Sequence, residues 1–240
     1  MLRVRVVAAA AVTAAAVGMS GAVLSAQAAH LPAPGGAAND AAGVVPRTLP
    51  GTVTARYVLG RLALRAESHS ATYRRADFTT WIDADGDHCD TRKEVLIAES
   101  TKRVTLGPRC TILTGRWVSL YDGVTTRTAS TFDIDHVVPL EEAWTSGAWA
   151  WTAARRTDFA NDLGYPFSLQ AVSASSNRSK GDRDPAQWLP ARNLCTYGVR
   201  WVAVKYRWSL SIDPAEQRQL ARLLGGTCGQ AKLGLPTLGR

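Results

Sequence analysis

The sequence predicts a single α+β domain closed by two disulfides. Segments in which apolar residues recur at helical spacing alternate with short runs typical of strands. About 185 residues follow Val53 without an internal repeat, which is enough for one domain with a sizeable core and too few for two. The chain also contains four cysteines, an even number that suits disulfide pairing.

Residues 1–28 have the pattern of a secretory signal peptide. Two arginines precede an Ala- and Val-rich run, and the sequence AQA at 26–28 matches a cleavage site. A membrane anchor is the alternative, but Gly18 and Gly21 interrupt the run, and no later stretch is apolar over the roughly 20 residues that a spanning helix needs. We therefore expect an extracellular mature protein, a monomer that does not engage the membrane after cleavage.

The region after the signal peptide changes character near Val53. Residues 29–52 are rich in Pro, Gly and Ala, which predicts a disordered leader and places the folded domain at residues 53–240. The spacing of apolar residues predicts an amphipathic helix over Thr54–Ala66. The short apolar runs in Arg92–Glu99 and Arg116–Tyr121 fit strands or helix ends.

Further elements follow in the second half of the chain. Helical spacing over residues 140–161, interrupted at Gly147, predicts one or two helices, and Leu169–Val172 is a strand candidate. A C-terminal helix is predicted over Pro214–Leu224, with Asp213 as its N-cap.

Three tryptophans of this half, Trp144, Trp149 and Trp151, could stack on unpaired bases if exposed. Their spacing equally suits a helix that packs on the core, which we favour.

All the cysteines lie in the exported part of the chain, at Cys89, Cys110, Cys195 and Cys228. An oxidising compartment favours disulfides, and no C-x-x-C pair supports the alternative of a zinc site. Three connectivities are possible. We favour the local one, Cys89 with Cys110 and Cys195 with Cys228, in which each bridge closes a loop worth roughly 3 kcal/mol.

The charge balance points to a polyanionic partner. Of the 28 Lys and Arg residues, Arg3 and Arg5 leave with the signal peptide, so 26 remain against 20 Asp and Glu. A basic balance fits a phosphate backbone, although wall-binding proteins share it.

The segment FDIDHVVPL, from Phe132 to Leu140, predicts a strand that ends in a carboxylate beside an imidazole. Neighbours on a strand point to opposite faces, so Asp135 can face a cation while His136 faces a water. This division suits phosphodiester hydrolysis, which needs a base active near neutral pH and a hard cation. An isolated Asp-His pair is more often structural.

The segment SASSNRSKGDRDP, from Ser173 to Pro185, adds an amide and several cations. Asn177 can give an oxygen to a hard cation, and Lys180 lies about one helical turn further on, so both could face one phosphate. Arg178 and Arg183 supply further positive charge. Taken alone, the segment is more typical of a solvated, charged loop.

Together, D-x-D-H-x-x-P and N-R-S-K-G-D resemble the HNH, or ββα-metal, endonucleases, and in particular the small secreted proteins of this family in actinobacteria. The resemblance implies an HNH core within residues 130–190. It implies that Asp135 and Asn177 hold one divalent cation, with Mg²⁺ favoured and Mn²⁺, Ca²⁺ or Zn²⁺ left open, that Asp133 supports them, and that His136 activates water. Asn161 or Gln170 would fill the middle position of the motif.

The segment from Trp81 to Glu94 has alternating aspartates, at Asp83, Asp85 and Asp87, of the kind that bind calcium. The EF-hand spacing fits only in part, because His88 stands where glycine is required. A turn closed by Cys89 is favoured over a calcium site.

The resemblance gives the same segment a third role, in which Arg92 and Glu94 lie near the active centre and Arg92 clamps a phosphate.

These observations predict a secreted, metal-dependent endonuclease that acts on nucleic acid, DNA rather than RNA. In this enzyme Lys180, Arg178 and Arg183 hold the backbone. Two alternatives stay open, both without catalysis: a basic extracellular nucleic-acid-binding protein and a calcium-binding surface protein.

Overall fold

The computed structural model describes residues 51–234 and 238–239. The predicted signal peptide and nearly all of the predicted leader lie outside these residues, so both stay predictions. The helices are α1 (Ala55–Leu59), α2 (Thr91–Glu99), α3 (Leu140–Thr145), α4 (Ala153–Ala160), α5 (Ala174–Lys180), α6 (Leu194–Arg207) and α7 (Pro214–Leu223). The strands are β1 (Val53–Thr54), β2 (Thr105–Gly107), β3 (Thr111–Thr114), β4 (Trp117–Val118), β5 (Thr125–Thr126), β6 (Phe132–His136), β7 (Leu169–Ser173) and β8 (Lys232–Leu233).

The strands form antiparallel pairs rather than one large sheet: β1 with β8, β2 with β3, β4 with β5, and β6 with β7. The β6–β7 pair is the most regular, with Phe132 opposite Ser173 and His136 opposite Leu169. Helix α5 follows β7 without a loop. The predicted mixture of helices and strands is confirmed, and α3 and α4 lie in the connection between β6 and β7.

Helix α6 lies in the main apolar core and is absent from the elements predicted from the sequence. Nine of its 14 residues are buried, including the consecutive positions 201–205, so apolar residues occupy every side rather than one stripe. A helix buried all round lacks the periodicity by which surface helices are detected, and its Val and aromatic residues are equally typical of strands. Trp201 in α6 and Trp208 directly after it are among the largest buried side chains of this core.

Two predictions near the N-terminus are corrected. The helix expected over Thr54–Ala66 is shorter than predicted: it ends at Leu59, with Gly60 as its C-cap. The run Arg92–Glu99 belongs to helix α2, which Asp90 caps by accepting a hydrogen bond from the Lys93 N–H at 3.0 Å.

Other predicted elements are confirmed. The helical region 140–161 is divided into α3 and α4 at Gly147, whose φ of 138° is unfavourable for residues with a side chain. Asp213 caps α7 in a capping box with Glu216. Both favoured disulfides form, with Cα–Cα distances of 5.2 Å for Cys89–Cys110 and 5.5 Å for Cys195–Cys228.

The three tryptophans between β6 and β7 divide between core and surface. Trp144 is buried and Trp151 is half-buried, as expected. Trp149 is 42% exposed and stacks on His69 with 3.8 Å between ring centroids, which corrects its predicted place in the core. In the described residues, no helix combines the length and the apolarity that crossing a membrane requires.

A buried carboxyl group joins α2 to the β6–β7 pair. Glu99 Oε2 accepts hydrogen bonds from Gln170 Nε2 at 2.6 Å and from the Ala171 N–H at 2.8 Å. Burial raises the pKa of Glu99 from 4.5 to about 7, against the influence of these hydrogen bonds and of Arg200. Between these two pKa values, the carboxyl group of Glu99 is protonated in the folded protein and ionised in the unfolded chain.

This proton makes stability depend on pH. Between about pH 4.5 and 7 the folded state binds more protons than the unfolded state, so the free energy of unfolding falls as pH rises through this window. We expect Glu99→Gln to remove this fall, which amounts to roughly 3 kcal/mol at most. Urea unfolding at pH 4.5 and pH 8 measures it. The exposed control Asp158→Asn should keep the wild-type pH dependence, and an unchanged dependence in Glu99→Gln would contradict the assignment.

Candidate functional site

The β6–β7 pair and helix α5 bring the two motif segments together. Asp133 and Asp135 share a face of β6, because alternate residues of a strand point the same way. Helix α5 starts directly after Ser173, whose Oγ accepts from the Ser176 N–H at 3.3 Å and so caps the helix. The side chains of α5 therefore meet the end of β6.

A pocket of about 200 Å³ opens where β6 and α5 meet. Its walls include Asp135, His136, Asn177 and Arg178, all of which the sequence singled out, together with Arg75. The structure thus gathers residues separated by about 40 positions into one concave site.

Asp135 is held from inside the protein by Lys180. The Lys180 ammonium is fully buried and donates to both carboxylate oxygens of Asp135, at 2.8 and 2.9 Å, and to the His136 carbonyl at 2.8 Å. Tyr121 donates its hydroxyl proton to Asp135 Oδ2 at 2.5 Å. Burial raises the pKa of Asp135 and lowers that of Lys180, and their ion pair opposes both effects.

The expectation that Asn177 and Lys180 face one phosphate does not match this placement. Lys180 Nζ points into the protein, whereas Asn177 lines the pocket. Asn177 also donates from Nδ2 to Asp133 Oδ2 at 3.2 Å, so Asp133 contacts a pocket residue without lining the pocket itself.

The imidazole of His136 is fixed on several sides. Its Nε2 lies 2.9 Å from the Ala160 carbonyl oxygen, and its ring stacks between Trp81 and Phe159 at centroid distances of 5.6 and 6.3 Å. Since a carbonyl only accepts, Nε2 donates, and in the neutral ring Nδ1 keeps the lone pair. Burial, with a further influence of Arg75, lowers the pKa of His136 to about 4. The ring is therefore neutral at pH 7.

Asn161 ties together the segments that surround His136. Its Oδ1 accepts from the Thr91 hydroxyl at 2.8 Å and the Ile82 N–H at 3.2 Å. Its Nδ2 donates to the carbonyls of Thr79 and Thr157 at 2.7 and 2.8 Å. Asn161 directly follows the residue that accepts from His136. Gln170, the other candidate for this position, contacts α2 instead, as described above.

The remaining predicted cations lie at different distances from the pocket. Arg178 lines it. Arg183 donates from Nε to the Lys180 carbonyl at 3.1 Å and lines a neighbouring pocket. Arg92 is not part of the site: it donates to the Phe132 carbonyl at 2.8 Å, at the opposite end of β6. Glu94 lies on the same helix as Arg92, and neither residue lines the pocket.

The structure adds side chains that the sequence did not indicate. Arg75 reaches the pocket from a single helical turn about 60 residues before β6, and Tyr121 reaches Asp135 from the segment after β4. Neither residue lies in a recognisable motif, so only the fold reveals their proximity.

The aspartate side chains of the segment from Trp81 to Glu94 accept hydrogen bonds from backbone N–H groups of the same segment. Asp83 accepts from the backbone N–H groups of Gly86 and His88, at 2.9 and 3.0 Å. The Cys89–Cys110 disulfide closes its end, as the favoured interpretation expects. Carboxylate oxygens of Asp83, Asp85 and Asp87 lie within 4.8 Å of one another.

Comparison with known proteins places the chain in a family. A protein from Arthroderma benhamiae, described as an uncharacterized secreted protein, is 41% identical over 185 residues, which cover 76% of this chain and 89% of the relative. This relative is fungal, whereas the motifs resemble an actinobacterial group. No solved structure matches the chain.

The family model that matches is described as GmrSD restriction endonucleases, C-terminal domain, and it covers residues 90–223, more than half of the chain. This range includes β6, β7, α5 and the pocket residues that these elements carry. The chain belongs to the family of the C-terminal domain of GmrSD restriction endonucleases.

Proposed function

We propose that the chain is a secreted, metal-dependent endonuclease of the HNH type that hydrolyses phosphodiester bonds in nucleic acid. The observation that carries this proposal is the convergence of Asp135, His136 and Asn177 in one pocket. The order β6, β7, α5 fits the ββα unit of HNH enzymes. The family description, which names restriction endonucleases, supports DNA over RNA, and the secreted relative and the disulfides support export.

The donor set of the pocket fits one hard divalent cation, with Mg²⁺ favoured. Asp135 offers a carboxylate and Asn177 an amide oxygen, which are ligands that Mg²⁺ prefers. Asp135 Oδ1 accepts only from Lys180 among the described residues, so a lone pair stays available. When bound, the cation would offset negative charge on the phosphate and the leaving oxygen. Asp133 would orient Asn177 through their hydrogen bond.

His136 is arranged to act as the general base. The Ala160 carbonyl fixes the tautomer by accepting from Nε2, so Nδ1 is the atom that takes a proton from water. Asn161 acts as a positioning residue, because its four hydrogen bonds hold the end of α4 and the segment that carries Trp81.

The cations divide between substrate binding and support. Arg75 and Arg178 line the pocket and would hold the phosphate, while the more distant Arg183 would contact the backbone outside it. Lys180 acts from beneath by neutralising and orienting Asp135. Lys180 therefore stabilises the arrangement of the pocket and does not contact the nucleic acid.

One observation favours a second candidate, a nucleic-acid-binding module without catalysis. Lys180 and Tyr121 together donate to both oxygens of Asp135, which satisfies this carboxylate without a metal. The nuclease and the binding module would both bind nucleic acid through the same basic surface, and only the nuclease would cleave it.

Plasmid cleavage with Mg²⁺ separates these candidates. We expect the purified protein to nick and linearise plasmid, EDTA to stop the reaction, and His136→Ala to lower the rate by about 10²- to 10⁴-fold, as for loss of a general base. Arg218→Ala, which removes an exposed cation from α7, should keep full activity. Undiminished cleavage by His136→Ala, or none by the wild type with Mg²⁺, Mn²⁺, Ca²⁺ or Zn²⁺, would contradict the proposed nuclease.

The salt dependence of DNA binding tests the role of Lys180. Each lost phosphate contact reduces the slope of log K against log salt by about 0.7 to 0.9, so Arg178→Ala should reduce it by about this amount. Lys180→Gln leaves a buried carboxylate without its cation, so it should lower cleavage and cost about 3–5 kcal/mol of stability while the slope stays unchanged. Fluorescence anisotropy in EDTA gives the slopes. A reduced slope for folded Lys180→Gln would show that this side chain contacts the strand.

A further inference from the structure

A second concave surface, which we call the distal groove, lies between α2, the β2–β3 hairpin and the segment before β6. Its volume is about 420 Å³. Its lining includes the side chains of Arg92, Lys93, Leu96, Ile112, Leu113 and Arg127.

One side of the distal groove is cationic. Arg92, Lys93 and Arg127 line it, and its lining contains no carboxylate. Arg92 and Lys93 are held in place. Arg92 donates to the Phe132 carbonyl at 2.8 Å, and Lys93 donates to the His88 carbonyl at 2.9 Å and pairs with the Asp90 carboxylate at 3.5 Å, which offsets part of its charge. Arg127 is exposed, and its guanidinium has no hydrogen bond or ion pair with another described residue. This arrangement of two positioned cations beside an exposed one suits binding of the phosphate backbone of a nucleic acid.

The other side of the distal groove is apolar. Leu96 is buried and Ile112 is half-buried, whereas Leu113 is 62% exposed. Leu113 therefore presents an apolar surface to solvent beside the cationic side chains. A small anion such as free phosphate would use the cations and leave this wall uncovered. A nucleotide uses both, since its phosphate meets the cations and its base covers the apolar wall.

Strand β6 connects the distal groove to the pocket of Asp135 and His136. Arg92 contacts the carbonyl of Phe132, the first residue of β6, and His136 is the last. At about 3.3 Å per residue, the two ends of β6 lie on the order of 13 Å apart. A stacked strand covers this distance in about four nucleotides at 3.4 Å each, and an extended one in fewer.

We propose that the distal groove binds an unpaired nucleotide of the strand whose scissile phosphate occupies the pocket. Arg92, Lys93 and Arg127 hold its phosphate, and the exposed Leu113 contacts its base together with the half-buried Ile112. The base must be unpaired because a duplex does not present its ring faces to a side wall. This inference rests on the proposed nuclease and adds a subsite that favours single-stranded substrate or frayed ends.

The test measures binding and turnover separately. Anisotropy in EDTA gives the affinity for a fluorescein-labelled 12-nucleotide oligothymidylate between 50 and 200 mM salt. Hydrolysis of bis(p-nitrophenyl) phosphate with Mg²⁺ reports the pocket alone, since this substrate is too small to span β6. The variants are Arg127→Glu and Leu113→Ser, with the exposed controls Arg218→Glu and Leu163→Ser.

We expect Arg127→Glu to weaken oligonucleotide binding about tenfold and to reduce the salt slope by about 0.7. Leu113→Ser should weaken binding about fivefold without a change in slope, a smaller loss than removal of an aromatic stacking residue causes. Both controls should bind as the wild type does, and all variants should hydrolyse bis(p-nitrophenyl) phosphate at the wild-type rate.

The two proposals fail in different ways. If Arg127→Glu and Leu113→Ser bind the oligonucleotide as tightly as their controls, the distal groove is not a subsite. If Arg127→Glu alone weakens binding, the groove attracts a backbone but seats no base, which overturns the proposed subsite. If the expected binding pattern accompanies no hydrolysis of either plasmid or bis(p-nitrophenyl) phosphate, the distal groove binds an unpaired nucleotide but the proposed nuclease is wrong, and with it the role of the groove as a subsite for cleavage.

Discussion

The buried ion pair between Lys180 and Asp135 is the interaction on which the site depends. Lys180 is the last residue of α5, and its ammonium reaches across to the carboxylate and to the neighbouring carbonyl at the end of β6. A fully buried ammonium is costly unless it is completely paired, so the helix has only one satisfactory position against the strand. Asn177, one turn earlier, is placed at the pocket by the same constraint.

A second constraint comes from the connection between β6 and β7. It carries Phe159, which stacks on His136, and Ala160, whose carbonyl accepts a hydrogen bond from His136 Nε2. The following residue, Asn161, binds the segment that brings Trp81 against the other face of the ring. The long connection therefore supplies two contacts of the imidazole and positions the segment that supplies a third, and the pairing of β6 with β7 stays regular.

The sequence predicted what depends on local pattern and missed what depends on distance. Strand β6, the cap of α7 and the two disulfides follow from alternation, capping chemistry and loop closure. Helix α6 has no polar face, so no period reveals it. The burial of Lys180 and the separation of Arg92 from the pocket depend on which helix packs against which end of β6. This packing cannot be predicted from the residues next to Lys180 and Arg92 in the sequence.

The same ion pair sets the charge of the pocket in the proposed nuclease. Because Lys180 already neutralises Asp135, the carboxylate offers an incoming divalent cation little uncompensated negative charge. Arg75 and Arg178 add positive charge to the walls, and one exposed carboxylate, Asp182, opposes them. A phosphodiester brings the missing negative charge, so cation and substrate should each strengthen the binding of the other. In the proposed nuclease, the Lys180–Asp135 ion pair would thus couple metal binding to substrate binding.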